Sequence, residues 1–252
     1  MKNFLLNILS KTPYTILSGL SRLLLKLMGF GRIPTIQEEV KFLTSLTSGL
    51  GKFVFLDIGA NRGDYSLEFS KKFSKVPVYA FEPARETFKI LQSQTQKTNI
   101  SCINLGIGEK NKTAELYYDF FGSGLASLSQ RNLSHIKVNF DLHEIISIVS
   151  LDEWLMNHQI KDDLVIKMDI EGFELFALKG AQDALKGQIQ LIQFEFGGAN
   201  IDSRTFFKDF WLLLSPTFDI YRLSTKGLDL LSHYSEGCEI FMNTTYYVKR
   251  RN

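Results

Sequence analysis

Four mostly apolar runs in this chain end in an acid: Asp57 after Phe53–Leu56, Glu82 after Val78–Phe81, Asp169 after Leu164–Met168 (broken by Lys167), and Glu195 after Leu191–Phe194 (broken by Gln193). A carboxylate at a strand tip can accept from paired hydroxyls, attract a cation, or take a proton from an alcohol. The densest group is Lys167-x-Asp169-x-Glu171-Gly172-x-Glu174, three acids and a lysine in eight residues. Such charges are costly at a buried edge unless they are paired or used. Asp169 is the candidate base, or the group that orients a hydroxyl, with Glu171 second. Lys167 would tune Asp169 or hold an acceptor oxygen, and Glu195 would line the acceptor side. An internal Lys167–Asp169 pair followed by helix-start acids is the plainer reading of the same residues. His135 and His143 do not space like metal ligands with any nearby acid; a divalent ion on Asp169, Glu171 and a later acid stays open, but no histidine completes that set and no metal site is assigned.

The elements that must position these groups follow from the pattern of apolar runs. Phe53–Leu56 is unbroken, as in a parallel strand covered on both faces. Asp57-Ile58-Gly59-Ala60-Asn61-Arg62-Gly63 then turns sharply into a helix that starts near Tyr65, offering free N–H groups to a ligand. A dinucleotide fingerprint would be Gly-x-Gly-x-x-Gly; here Asn61 replaces the second glycine and Gly63 comes one residue early. Asn tolerates a left-handed backbone, but its side chain fills the room a pyrophosphate needs. An acid ahead of this turn suits a cationic ligand group. Asp57, Gly59, Asn61, Gly63 and Tyr65 are therefore binding candidates. Glu82, 25 residues after Asp57, stands where a doubly wound fold binds ribose hydroxyls, and equally where Pro83 and a helix over 84–97 would want an acid.

The glycine turn, Phe81-Glu82-Pro83 and the Lys167–Glu174 run together resemble the FkbM family of S-adenosylmethionine-dependent methyltransferases over roughly residues 52–250. The resemblance implies an α/β, doubly wound, Rossmann-like sheet, mostly parallel with a reversed final strand. It implies S-adenosylmethionine as cofactor, with Gly106 and Ile107 in a turn that covers the adenine. It also implies an O-methyltransferase acting on a sugar, glycan or secondary-metabolite hydroxyl. The small, hydroxyl-rich stretch Gly122–Ser129 reads as a solvent loop or, with a Ser127-Leu128 pair that resembles the family's, as a lid over the cofactor. Thr113–Tyr118 and His143–Val149 alternate like the strands of an extra hairpin. Ser150 is placed to cap a helix, Phe206–Leu214 reads as an amphipathic helix, and 218–223 and 239–248 read as the last strands. The alternatives kept open are an NAD(P)-dependent oxidoreductase and a non-catalytic module on a membrane.

Composition sets the outer bounds. A length of 252 residues with 44% hydrophobic content and 21 phenylalanines suits one large domain over 51–252 with an appendage over 1–50. A net charge of +2 with scattered cations argues against a nucleic-acid partner. Cys102 and Cys238 lack ligand spacing and fit a reducing, cytoplasmic setting. Residues 1–30 alternate apolar clusters with single cations, too interrupted to span a membrane. They predict one or two amphipathic helices that would pack on the domain, on a second copy, or on the inner face of an anionic membrane. Thr35-Ile36-Gln37-Glu38 predicts a capped helix through about Leu46.

Overall fold

The computed structural model describes residues 12–251. The opening of the predicted 1–30 segment, residues 1–11, lies outside the described residues. Helix α1 runs Tyr14–Leu27 and α2 runs Ile36–Leu46. Thr35 caps α2 as the sequence predicts, its Oγ1 accepting from Glu38 N at 3.2 Å. Strand β1 (Phe53–Ile58) is buried at all six positions, and α3 (Asp64–Lys72) follows the glycine turn. Then come β2 (Val78–Phe81), α4 (Arg85–Thr95) and β3 (Ile100–Ile103). The chain next forms β4 (Gly106–Gly108), β5 (Lys112–Tyr118) and β6 (Leu142–Ser150). Helix α5 (Leu151–Asn157) begins at Ser150, whose Oγ accepts from Glu153 N at 3.4 Å. After it lie β7 (Asp163–Met168), α6 (Glu174–Lys179) and β8 (Ile189–Phe196). The last elements are α7 (Ala199–Ser203), α8 (Phe207–Leu214), β9 (Phe218–Ser224), β10 (Gly227–Leu230) and β11 (Thr244–Arg250).

The main sheet has the order β10-β9-β11-β8-β7-β1-β2-β3. Strands β3, β2, β1, β7 and β8 are parallel, and β11 inserts antiparallel between β8 and β9, the reversed strand expected from the sequence. One face carries α5, α6 and α8 through a core around Trp154, Phe194 and Phe210. The other face carries α2 and α3 through Val40, Leu43, Phe55 and Phe69. Helix α2 is thus part of the domain's layer: Tyr247 Oη donates to Glu39 O, and Thr245 Oγ1 donates to Glu39 Oε1.

Three local features depart from the sequence pattern. Gly106-Ile107-Gly108, expected as a turn, is a strand pairing parallel with β6 in a small sheet of order β4-β6-β5. Strand β10 adds an unexpected hairpin edge to β9. The final strand starts at Thr244 rather than 239, because Glu239 is used elsewhere. Its carboxylate accepts from Phe207 N and Lys208 N at 2.9 and 2.8 Å and so holds the start of α8.

The tips of β1 and β7 are pressed together. Gly59 has φ +81°, and a Cβ there would stand 2.0 Å from Asp169 O. Gly59→Ala should therefore cost about 2 kcal/mol or more, from backbone strain and a clash with main chain that cannot give. Gly51→Ala, in open space with an ordinary φ, should stay within about 0.5 kcal/mol of the parent. Urea-unfolding midpoints of the two variants check this; equal midpoints would refute the claimed contact.

Candidate active site

Parallel pairing sets Asp57 directly beside Lys167. The Lys167 ammonium lies 3.4 Å from Asp57 Oδ1, 3.5 Å from Asp169 Oδ2 and 3.3 Å from Gly59 O, and 5.4 Å from the Tyr65 ring centre. Burial works against its charge, but Asp57, Asp169, Glu39 and Glu195 outweigh that and hold its pKa above the usual lysine range. Asp57 is wholly buried; its Oδ2 accepts from Ser66 Oγ at 2.6 Å, while Oδ1 has the ammonium as an ionic neighbour without a hydrogen bond. The cation that the sequence assigned to a ligand is thus supplied by the neighbouring strand. Tyr65 is likewise buried, with its hydroxyl donating to Gln193 Oε1 at 2.5 Å. Gly63, φ +91°, lets α3 approach Leu91.

In front of this hub lies a cleft of about 890 Å³, counting space open to solvent. Of the predicted residues, Gly59, Asn61, Glu82, Gly106, Ile107, Asp169 and Glu171 line it; Asp57, Gly63, Tyr65, Lys167 and Glu195 stand behind or beside it. Asn61 takes the left-handed backbone anticipated for it, φ +49°. Its N–H donates to Glu82 Oε2 at 3.0 Å, and Ala84 N–H donates to Glu82 Oε1 at 2.9 Å. Burial pushes the Glu82 carboxyl up to about 7 even though these two amides favour its charged form. Each Glu82 oxygen keeps a second lone pair for a hydroxyl. Leu105, Ile107 and Ile148 add apolar wall nearby. This end thus offers a carboxyl group with free lone pairs beside an apolar wall.

The other end is acidic and is built by tight backbone turns. Glu171 and Gly172 have φ +51° and +94°, and a Cβ on Gly172 would stand 2.6 Å from Ala199 O. Glu174 fastens this turn, Oε1 accepting from Ile170 N at 2.9 Å and Gly172 N at 3.3 Å. The Asp169 side chain is 41% exposed, unlike its partner Lys167 at 8%. Continuing the Met168–Phe194 register places Asp169 beside Glu195. Burial and then the Asp169 charge push the Glu195 carboxyl up to about 9. Glu171 is raised by burial first and Asp169 second, against the pull of Arg131.

Several contributors escaped sequence reasoning. Arg131 donates to Glu171 Oε2 at 2.8 Å and Asp202 Oδ2 at 3.0 Å, joining the insert to the turn after β7 and to α7. The segment 122–129, read from its composition as a loop or lid, is stitched across the cleft. Asn61 Nδ2 donates to Ser123 O at 2.9 Å, and Ser127 Oγ donates to Glu171 O at 2.9 Å. Only the Ser127-Leu128 pair gave a sequence signal. Arg131 pairs with residues 40 and 71 positions away, which no local pattern registers.

A Glu195 carboxyl held protonated in the fold favours the folded state fully below its ordinary pKa near 4.5. That advantage is lost as pH rises from about 4.5 toward 9, because folding must then oppose ionisation. Glu195→Gln should therefore gain stability relative to the parent as pH rises from 5 to 8.5. Paired urea titrations read this directly; a pH-independent difference would place Glu195 in an ordinary solvated setting.

Comparison with known proteins follows this geometry. A family model described as "Methyltransferase FkbM domain" matches residues 57–220. The chain is similar to hexuronic acid methyltransferase AglP of Haloferax volcanii, 30% identical over 133 residues, 53% of this chain and 52% of that protein. It is also similar to Methyltransferase 1 of Beauveria bassiana, 26% identical over 145 residues, 51% of this chain and 58% of that protein. The chain thus spans just over half the length of these relatives. Among solved structures, precorrin-6y C5,15-methyltransferase from Geobacter metallireducens aligns at TM-score 0.44 and 10% identity, over 88% of this chain and 94% of that one. The plantazolicin methyltransferase BpumL, solved with SAH, aligns at 0.44 and 13% identity, over 86% and 83%.

Proposed function

Because the chain belongs to the FkbM methyltransferase family, we propose that it methylates a hydroxyl oxygen of a sugar or related small acceptor, with S-adenosylmethionine as donor. The observation that carries this reading is the exposed Asp169 carboxylate at the mouth of a cleft whose far end holds Glu82. The similarity to a hexuronic acid methyltransferase supports a sugar acceptor. S-adenosylmethionine would supply a methyl carbon on a positively charged sulfur, so the protein's task is to align an oxygen and remove its proton.

The residues divide that task. Glu82 would accept from the ribose hydroxyls, while Gly106 and Ile107 would flank the adenine. The backbone at Gly59 and Asn61, which line the cleft, would hold the rest of the cofactor. Asp169 Oδ2 faces Lys167, leaving Oδ1 to orient the acceptor hydroxyl and take its proton as the oxygen attacks. Lys167 acts on this step by fixing Asp169 rather than by touching the acceptor. Glu195, protonated at neutral pH, can donate a hydrogen bond to an acceptor oxygen. Arg131 anchors Glu171, and the 122–129 segment forms one wall of the slot. Holding oxygen and carbon in line contributes much of the acceleration in reactions of this kind.

A labelled-methyl transfer screen against hydroxylated glycans and lipid-linked sugars tests the reading. On an accepted substrate, Asp169→Asn should lower kcat by about 10² to 10⁴ and leave S-adenosylhomocysteine affinity within a few-fold. An Asp169→Asn enzyme with parental turnover would strip Asp169 of this role. Glu82→Gln should instead weaken cofactor binding about tenfold, the loss of one charge-assisted hydrogen bond. Calorimetry measures it, and binding of NAD in place of S-adenosylmethionine would overturn the whole assignment.

A further inference from the structure

Helix α1 has no buried residue. Ile16, Leu20, Leu23, Leu24 and Leu27 recur on one side of it, and each is at least 45% exposed. Arg22 and Lys26 flank this stripe, and residues 1–37 hold five cations and no acid. Among the described residues no helix is long and apolar enough to cross a membrane. A stripe of this kind beside cations suits a helix lying in the headgroup layer of an anionic bilayer. A second copy of the chain would bring the same cations to the contact with no acid there to meet them.

The far end of α1 is fastened at a particular place. Thr225 Oγ1 donates to Leu27 O at 3.0 Å, and Arg32 donates to Ser224 O at 3.0 Å. Gly29, φ +100°, lies so close to Leu223 that a Cβ would stand 2.3 Å from its carbonyl oxygen. Gly31 N–H donates to Asn243 O at 2.9 Å, and Asn243 in turn abuts Gly197, just past the end of β8. Ser224 ends β9, which runs parallel to β8 because β11 is antiparallel to both. The helix therefore leaves from the carboxyl edge of the sheet, the edge that carries Asp169 and Glu195.

We propose that α1 docks on an anionic membrane surface and brings the carboxyl edge of the sheet to that surface, so that the acceptor hydroxyl is presented by a membrane-borne molecule. The acceptor half of this statement rests on the methyl-transfer reading; the docking half does not.

The test uses the full chain and flotation with phosphatidylcholine vesicles, with and without phosphatidylglycerol. Binding should require the anionic lipid and fall as salt rises toward about 1 M, where charges are screened beyond ~3 Å. Arg22→Gln and Lys26→Gln should each lower partitioning about fivefold. Leu20→Asp with Leu24→Asp should abolish it while leaving the melting midpoint unchanged, since both side chains are exposed. For the orientation, a fluorophore on Ile201→Cys, beyond the end of β8, should be quenched by lipid-borne nitroxide. One on Lys186→Cys, at the opposite edge, should not; both are made with Cys102 and Cys238 replaced by Ser. Absence of flotation overturns the proposal, as does a solution dimer, seen by light scattering, that the Leu20/Leu24 pair dissociates. Equal quenching at the two positions overturns the orientation. Calorimetry with S-adenosylmethionine, run separately, tells failure of docking from failure of the methyl-transfer reading.

Discussion

A single ammonium holds the two halves of the site together. Lys167 Nζ stands between Asp57 on β1 and Asp169 beyond β7, and also reaches the Gly59 carbonyl. A buried cation is costly unless opposite charges and dipoles surround it closely. Here the strand register supplies them, and a one-residue slip would reverse the face of every side chain and leave three charges unpaired. The same hub demands that the β1 tip come within contact of the Asp169 carbonyl, which only a glycine at position 59 allows. Sheet register, glycine turn and acidic edge are thus one constraint seen from three sides.

The small sheet is the second layer of that construction. By forming a strand instead of a turn, Gly106–Gly108 ties the cleft wall to β6 and hence to the insert. The insert returns across the opening to Asn61 at one end and Glu171 at the other. The slot is therefore bounded by backbone at both ends. A bounded slot favours ordered positioning of reacting atoms, which any group transfer between two bound molecules requires. The acidic end has the opposite need. Burial keeps Glu171 and Glu195 inclined to hold protons, while Asp169 reaches solvent and leans on Lys167. Neighbouring carboxylates in unlike environments can take unlike roles, one accepting a proton and another donating a hydrogen bond.

Much of this was legible in the chain alone because the signals were local. Mostly apolar runs ending in acids marked buried parallel strands, Thr35 and Ser150 marked helix starts, and the glycine turn and the Lys167–Glu174 run marked two adjoining strand tips. What stayed hidden was decided by partners far away in sequence. Glu239 lies in an apolar pattern that reads as strand, yet it serves the first amides of α8. Arg131 looks like any insert cation until Glu171 and Asp202 close around it. Asp57 announced a need for positive charge, but whether a ligand or a lysine meets it depends on which strand pairs with β1.

The sequence by itself determined the two motifs, the buried strands that carry them and the side of the sheet on which they meet. Each of these rests on periodicity, turn chemistry or spacing within a few residues. Tertiary structure alone decided which acids open onto the cleft and which are used up in holding it. It also decided that the insert closes over the slot and that α1 leaves from the edge bearing Asp169. Those outcomes depend on register and packing between distant segments, and burial sets the protonation of a carboxyl only once the chain has folded around it.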